Sequence, residues 1–385
     1  MKQIRGEARL TFMEATSIIV GHGVGSGVLA VPYLASRNSW WHFLLIVVIA
    51  YGINLLMHFM IAELSYNNDG AQFIKCFERE LFVGKLKTIA TWVAFGLLGF
   101  SVIINVSGFI TGAAAVLSSW FGWPTWVGML VYYVLAALVV NFGMKLVGIC
   151  EKISVYAMVV VIVILFAATM LAEKSALPTG FVAFANVLAL YSMVSFSLSA
   201  VMSVPQVVKG LEGDAGKIRG AIVAGTAINV GIILVITLMT LIGAGTNVSQ
   251  DGALVDLAAH LGGWVGIVGY VFSLLAISTS FWANTLNLRD IVKEQTPFSI
   301  RISYLLATVP CLVIAFFGGN TFVGFTRLAG VIQILTGIGI IIAYHRSRKR
   351  EGTSVICGRL GILPFQILVV ASSVLATVGS VLSLS

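Results

Sequence analysis

Residues 21–27 read Gly-His-Gly-Val-Gly-Ser-Gly, and they lie inside an apolar segment, residues 11–36, that is long enough to span a membrane. Glycine is a poor helix former, so four glycines in seven residues predict an interruption of the helix. Lipid cannot hydrogen-bond the backbone groups that such an interruption frees. The interruption must therefore line a cavity or pack against protein.

A second apolar segment, residues 184–210, contains a matching interruption at Phe196-Ser197-Leu198-Ser199. Each interruption leads into a Val-Pro pair, and the pairs Val31-Pro32 and Val204-Pro205 lie 173 positions apart. Interrupted helices at corresponding places in two halves of a chain are typical of the substrate site of a secondary transporter.

The composition is that of a polytopic membrane protein. Of the 385 residues, 59% are hydrophobic and 10% are charged, whereas soluble domains have about 25% charged residues. The net charge of +8 fits an excess of Lys and Arg in cytoplasmic loops better than nucleic-acid binding, so no nucleic-acid partner is expected. Four cysteines without a Cys-x-x-Cys pair predict neither a disulfide nor a metal cluster, and no cofactor is expected.

Eleven segments are apolar over about 20 residues, the length that crosses a hydrocarbon core as a helix. These predicted spans are residues 11–36, 39–63, 88–118, 124–142, 150–172, 184–210, 218–245, 263–288, 300–317, 322–344 and 362–384. Two short surface helices are also expected, one within residues 68–84, with Phe73, Phe77 and Phe82 on one side, and one at residues 252–260.

The loops between the spans have a strong charge asymmetry. With the N-terminus in the cytoplasm, 20 of the 23 Lys and Arg residues fall on the inner side, and only Arg37, Lys174 and Arg327 fall on the outer side. Lys and Arg accumulate in cytoplasmic loops, so this orientation is favoured. We therefore expect a multi-pass protein of the cell membrane with a cytoplasmic N-terminus and an extracellular C-terminus.

The first ten spans divide into two blocks of similar length, residues 11–172 and 184–345, each opened by an interrupted helix. Because each block has five spans, an odd number, the second block is inverted in the membrane relative to the first. The expected fold is all-α: a single transmembrane domain, residues 1–385, with a 5 + 5 inverted repeat and an eleventh span at residues 362–384.

The interruption in span 1 offers backbone groups of both signs to a ligand. N–H groups near Ser26 and Gly27 suit a carboxylate, and C=O groups near Gly21 and Val24 suit a cation. Glycines allow a ligand to approach the backbone. Close helix packing is the other interpretation of these glycines; a dinucleotide-binding loop would need a βαβ unit, which this sequence lacks.

The interruption in span 6 complements the first. Carbonyls near Phe196 and Ser197, with the hydroxyl of Ser199, suit an ammonium group, so the two interruptions together fit a zwitterion and predict an α-amino acid as substrate. Span 3 is expected to supply Ile103, Ile104, Asn105 and Ser107 toward the pocket, although the sequence leaves open which of its faces looks inward. The predicted substrate site is Gly23, Gly25, Ser26, Gly27, Phe196, Ser197, Leu198, Ser199 and Ile104.

Three consecutive hydroxyl residues, Ser278-Thr279-Ser280, occur inside span 8. Such hydroxyls either bond to their own helix or face a cation. The carbonyl of Ala276 and the hydroxyls of Thr279 and Ser280 lie on one helix face. Joined to the carbonyls of Gly21 and Val24, they predict a five-oxygen site that suits sodium.

The chain resembles the amino acid/auxin permease family, in the APC superfamily of LeuT-type transporters. Residues 25–33 are similar to that family's glycine motif before a proline in span 1. Residues 195–205, followed by Lys209, resemble its span 6, and residues 217–226 resemble the start of its span 7. The resemblance extends over nearly the whole chain and implies an amino-acid transporter.

Two motifs match the wider sodium-coupled superfamily. Residues 196–199 are similar to its Phe-Thr-Leu-Ser unwound segment, and Ala276-x-x-Thr279-Ser280 is similar to its sodium motif. Two departures favour sodium over protons. Leu198 stands where proton-coupled aromatic-amino-acid members have a histidine, and residues 155–171 lack the lysine that proton-driven relatives place in span 5.

Four charged or titratable residues are candidates for gating or proton transfer. Glu14, inside span 1, could carry protons, form part of an inner gate, or pair with a nearby Lys or Arg. His22 could titrate or could contribute only its backbone. Arg5 and Asp290 could form an inner gate, although charges at helix ends are often only solvated.

The sequence thus predicts ion-coupled symport of a neutral L-amino acid by alternating access, with sodium favoured over the proton as coupling ion. A proton symporter of the same fold and a non-transporting amino-acid sensor are the alternatives. A membrane-embedded enzyme would need a nucleophile, a carboxylate pair or a metal cluster within the spans, so no enzymatic activity is expected. The expected partners are the amino acid and the lipid bilayer, and a monomer is expected.

Overall fold

A computed structural model describes residue 4 and residues 8–180, 182–248, 257, 261–319 and 322–382, with side chains described in these ranges except at residues 26–29, 322–324 and 326–336. The described regular structure is helical. Its α-helices are α1 Phe12–Ser36, α2 Trp40–Asn67, α3 Phe73–Glu80, α4 Lys87–Phe121, α5 Thr125–Asn141, α6 Met144–Leu171, α7 Phe184–Ser197, α8 Val204–Gly210, α9 Ala215–Ala244, α10 Gly263–Gln295, α11 Ile300–Phe317, α12 Phe322–Glu351 and α13 Leu363–Val381.

Each of the eleven predicted spans coincides with a helix, except span 6, which is divided between α7 and α8. Eight described helical segments, with α7 and α8 counted as one, are long and apolar enough to cross a membrane, and α1 joins them as a bent pair. Large apolar side chains such as Leu135, Val163 and Ile367 are exposed on the outside of the bundle. Such an apolar exterior fits a lipid environment, so the chain is a multi-pass membrane protein.

The first predicted surface helix is confirmed as α3, which lies between α2 and α4. Phe73 and Phe77 are buried, and Phe82 contacts Phe77 edge to face with ring centroids 6.3 Å apart. The expected helix at residues 252–260 lies outside the described residues except for Leu257, which is helical and buried.

Helix α1 lies at the centre of the bundle and packs against α6, α7, α9 and α10. Its packing against α9 is close at Gly225, where a Cβ atom would lie 2.6 Å from Ile19 Cβ and 3.0 Å from the carbonyl oxygen of Thr16. Only glycine fits this contact without a shift of the backbone. The small residue therefore lets α9 approach α1 closely, as is common between membrane helices.

Hydrogen bonds at two helix starts fix where α1 and α9 begin. Thr11 and Glu14 form a capping box at the start of α1, in which the Glu14 amide donates to Thr11 Oγ1 (3.3 Å) and the Thr11 amide donates to Glu14 Oε2 (2.8 Å). Asp214 caps α9 by accepting from the Lys217 amide at 3.1 Å. These hydrogen bonds lower the pKa of the Asp214 carboxyl, because they favour its charged form.

The last loop of the chain is attached to α2 by one carboxylate. Glu63, which is fully buried, accepts hydrogen bonds from the Ser354 hydroxyl (2.7 Å) and from the amides of Val355 and Cys357 (both 2.8 Å). Residues 354–357 connect α12 to α13. Glu63 therefore holds the loop that leads into the last helix.

Candidate functional site

The glycines of the span 1 interruption lie at three close helix contacts. A Cβ atom on Gly21 would overlap the carboxylate of Glu151 on α6, and one on Gly25 would overlap the Ser280 hydroxyl on α10. One on Gly23 would overlap the amide group of Asn229 on α9. The packing interpretation therefore holds for these three glycines, which bring neighbouring helices against the α1 backbone.

The span 1 interruption takes the form of a bend. The segments Phe12–Gly25 and Ala30–Ser36 are inclined by 52° to each other. The bend follows Gly25, so it lies at the C-terminal end of the predicted interruption. The predicted substrate residues Ser26 and Gly27 fall in this bend, and their side chains and contacts lie outside the described part of the structure.

The span 6 interruption is a true break and confirms the prediction, shifted by two residues. Helix α7 ends at Ser197, residues 198–200 are not helical, and a 3₁₀ turn at Val201–Ser203 leads into α8. Pro205 lies in the first turn of α8, where its missing N–H is not needed. The break therefore occupies residues 198–203 and begins at Leu198.

A histidine from another helix holds this break. The Ala200 amide, inside the break, donates to His58 Nε2 on α2 at 2.9 Å. Asn54, one turn earlier on α2, donates to the Ser195 carbonyl at 3.2 Å. Both His58 and Asn54 are buried. They replace the backbone partners that an uninterrupted helix would supply, as membrane burial requires.

Residues of the predicted oxygen site lie at the contact between α1 and α10. Ser280 Oγ donates to the Gly21 carbonyl at 3.0 Å and lies 3.3 Å from the His22 carbonyl, while Thr279 Oγ1 donates to the Ala276 carbonyl at 2.9 Å. Val24 is buried in the same apolar cluster as Ala276. The hydroxyl of Thr279 thus bonds within its own helix, as one interpretation of this motif predicts, and that of Ser280 crosses to α1.

A cavity of about 80 Å³ lies beside the two interruptions. A single water needs roughly 10–15 Å³ by the same measure, so the space accommodates a larger group. Its polar lining comes from His22, Asn105, Ser199 and Asn284; its apolar lining comes from Met57, Leu98, Phe109, Phe196, Val201 and Met202. Few polar groups in a mainly apolar wall are typical of small-molecule sites.

The cavity includes Phe196 and Ser199 of the predicted substrate site and, of the span 3 candidates, Asn105 but not Ile104. Ile104 packs against Phe325 and Ile314, whereas Asn105 lines the cavity. Successive side chains on a helix point about 100° apart, so one residue of span 3 faces the cavity and the next faces α12. Ser197 and Leu198 are buried in the protein beside the break.

His22 contributes its side chain as well as its backbone. His22 Nδ1 lies 2.9 Å from Ser203 Oγ, at the end of the break in span 6. Asn287 on α10 donates to the same Ser203 oxygen at 3.4 Å. The imidazole therefore connects the two interruptions and forms part of the cavity wall.

A family model for the tryptophan/tyrosine permease family matches residues 9–378. The chain belongs to that family. No curated protein sequence matches the permease. The match supports the expected amino-acid transporter in its coarser form, and the permease is a membrane transporter.

Two solved structures have the fold of the permease. MhsT in complex with L-phenylalanine has a TM-score of 0.73 at 14% identity, covering 97% of the permease and 100% of that chain. Mhp1, a nucleobase-cation-symport-1 family transporter in a closed conformation with bromovinylhydantoin bound, has a TM-score of 0.65 at 12% identity, covering 96% and 94%. The permease therefore has the LeuT-type fold: a 5 + 5 inverted repeat, interrupted helices in spans 1 and 6, and an eleventh span.

The gating candidates of the permease have local partners. Glu14 accepts from Lys145 Nζ at 2.9 and 2.7 Å in addition to capping α1, which supports its interpretation as a residue that pairs with a lysine. Asp290 accepts from its neighbour Arg289 at 2.7 Å and from Gln206 at 3.3 Å. Arg5 lies outside the described residues.

Three residues that contact the interruptions were not found from the sequence: His58, Asn229 and Glu151. Asn229 on α9 donates to the Ile19 carbonyl at 3.3 Å, beside Gly23. A polar residue inside an otherwise apolar span was the available signal in each case, because such residues are costly unless they have partners in the bundle. His58 and Asn229 lie in predicted spans 2 and 7, and Glu151 lies at the start of predicted span 5.

Proposed function

We propose that the permease is an ion-coupled symporter of a neutral L-amino acid, with sodium as the coupling ion. The sodium assignment rests on one observation. At the contact of α1 with α10, the hydroxyl oxygens of Thr279 and Ser280 lie within hydrogen-bond distance of the carbonyl oxygens of Ala276 and Gly21, respectively. Oxygen ligands without a full charge in the predicted motif suit a hard monovalent cation. We also propose that the permease is related to the amino acid/auxin permease family, which its sequence motifs resemble.

The proposed substrate has an apolar side chain. Phe109, Phe196 and Met202 line the cavity, whereas its polar groups are few. The name of the family refers to tryptophan and tyrosine, and the solved structure of MhsT is a complex with L-phenylalanine. Aromatic L-amino acids are therefore the first substrates to test. The backbone groups around Ser26, Gly27 and residues 198–200 are proposed to bind the carboxylate and the ammonium group.

Alternating access requires only that substrate and ion bind the inward and outward states differently. The glycine-rich stretch of α1 reaches the cavity through His22, which contacts Ser203 at the end of the break in span 6, and the break itself lines the cavity through Ser199, Val201 and Met202. A ligand in the cavity therefore contacts both helices. The N-terminus is proposed to be cytoplasmic and the C-terminus extracellular, on the charge asymmetry of the loops.

Uptake of radiolabelled L-phenylalanine, L-tryptophan and L-tyrosine into proteoliposomes tests this function. Sodium and pH gradients are imposed separately at the same membrane potential. An inward sodium gradient is expected to drive accumulation, and Thr279→Ala with Ser280→Ala is expected to abolish that dependence. Thr285→Ala is the matched control, because Thr285 is a buried hydroxyl on α10 that bonds within its own helix at Phe281 O (2.6 Å).

Accumulation that follows the pH gradient and ignores sodium would replace this proposal with proton symport. Saturable binding without accumulation under either gradient would instead identify a sensor. Loss of uptake in the Thr285→Ala control as large as in the double variant would show that hydroxyl removal acts through folding.

A further inference from the structure

Glu151 is a buried carboxylate that the function proposed above does not use. It lies on α6, roughly 10 Å along the helix axis from Met144. Its residue exposure is 0%. Neither carboxylate oxygen has a hydrogen-bond partner among the described residues, and both are shielded from solvent. A buried carboxylate is costly unless a cation or hydrogen-bond donors compensate it, so a missing partner is indicated.

The carboxylate lies against the oxygen site. A Cβ atom on Gly21 would overlap Glu151 Oε2 and lie 2.6 Å from Glu151 Cδ. The same point is 2.8 Å from Thr279 Cβ. The carboxylate and the Thr279 side chain thus both border the space that a Cβ atom on Gly21 would fill. Glycine is needed at position 21 because any larger residue would displace the carboxylate.

The hydroxyl groups nearest to this carboxylate have other acceptors. Two hydroxyl groups, on Thr279 and Ser280, face three carbonyl oxygens, on Gly21, His22 and Ala276. Both hydroxyls already donate to those carbonyls, so neither donates to Glu151. Lys145, six residues earlier on α6, donates to Glu14. An unpartnered carboxylate beside other oxygen atoms is an arrangement that a metal cation satisfies.

We propose that Glu151 is the anionic ligand of the cation site between α1, α6 and α10. A sodium ion there is bound by the Glu151 carboxylate together with the neutral oxygens of Gly21, Ala276, Thr279 and Ser280. The carboxylate supplies the full negative charge that the five predicted oxygens lack, and the bound ion supplies the partner that the buried carboxylate lacks. This inference rests on the proposed sodium coupling and adds a third helix to its site.

Binding of radioactive sodium to the purified permease in detergent tests the assignment directly. Wild-type protein is expected to bind sodium saturably. Glu151→Gln, which keeps the shape and removes the charge, is expected to weaken binding by roughly 10–100-fold, the range typical for loss of a residue that supports a metal site. Glu151→Asp keeps the charge on a shorter side chain and is expected to lie between the two. Glu173→Gln removes an exposed carboxyl just beyond the end of α6 and is expected to bind as wild type.

The outcomes separate this inference from the proposed function. Sodium binding lost in Thr279→Ala but unchanged in Glu151→Gln would leave sodium coupling standing and overturn the role of Glu151. Wild-type protein that binds no sodium and takes up substrate on a pH gradient would overturn both. If Glu151→Gln does not elute as a monodisperse protein, Glu151→Asp decides: wild-type affinity in that variant contradicts a direct ligand, and a reduced affinity supports it.

Discussion

The contact between α1 and α9 makes a quantitative prediction about two glycines on the same helix. At Gly225 an added Cβ atom would lie 2.6 Å from Ile19 Cβ and 2.7 Å from Ile19 Cγ2, whereas at Gly231 no atom lies within 4 Å. Ordinary contacts of a Cβ atom begin near 3.4 Å. Ile19 Cβ is attached to the backbone and cannot rotate away, so Gly225→Ala must move α9 from α1 by roughly 1 Å, a strain of the kind that accompanies overpacking.

Overpacking of this kind costs about 1–3 kcal/mol. Replacing glycine by alanine also favours helix formation, by about 1 kcal/mol, and this gain is common to both variants. The difference in unfolding free energy between Gly225→Ala and Gly231→Ala therefore isolates the packing cost. It is measured by unfolding each purified variant in mixed micelles of increasing SDS fraction, and Gly225→Ala is expected to be the less stable by about 1–3 kcal/mol. Equal stability of the two variants would refute the close contact of α1 with α9.

Three further changes have defined outcomes. His58→Leu leaves the Ala200 amide without its acceptor, so substrate affinity is expected to fall and the unfolding free energy to drop by about 1–3 kcal/mol; unchanged values in both would contradict the role of His58. Glu63→Gln places an amide NH₂ opposite donors of residues 354–357, so trypsin is expected to cleave at Arg359 faster than in wild type, while Glu78→Gln, at a partly exposed ion pair with Lys75, should not change the rate. Asp214→Ala is expected to cost about 1 kcal/mol near neutral pH. Since folding lowers the Asp214 pKa, this difference should shrink as the pH falls below about 4, and a difference that grows would contradict the cap.

The spans and the break in span 6 could be predicted from the sequence because they depend on local properties. Hydrophobic length determines which segments cross a membrane, and Pro205 with the hydroxyl-rich residues before it marks the end of α7. The Ala-x-x-Thr-Ser motif also placed Ala276, Thr279 and Ser280 on one face of α10, where the structure has them. Helical spacing alone was sufficient for that step.

What could not be predicted depends on rotation and on distant partners. Ile104 and Asn105 are neighbours on α4, and only the position of α12 determines which of them turns toward the cavity. The sequence does not show whether Gly21 serves ligand binding or close helix packing, because its neighbour Glu151 is 130 residues away along the chain. The same applies to His58, whose contact with Ala200 joins segments 142 residues apart.

The attachment of residues 354–357 to Glu63 also has a consequence for the order in which the chain is made. The three donors follow their acceptor by 291, 292 and 294 residues. At a synthesis rate of about 5–20 residues per second, the α2 carboxylate is made roughly 15–60 s before them. Throughout that interval Glu63, near the C-terminal end of α2, lacks these three donors. Docking of residues 354–357 is thus the step that satisfies this carboxylate in a newly made molecule, and a ribosome that stops before Ser354 leaves it without them.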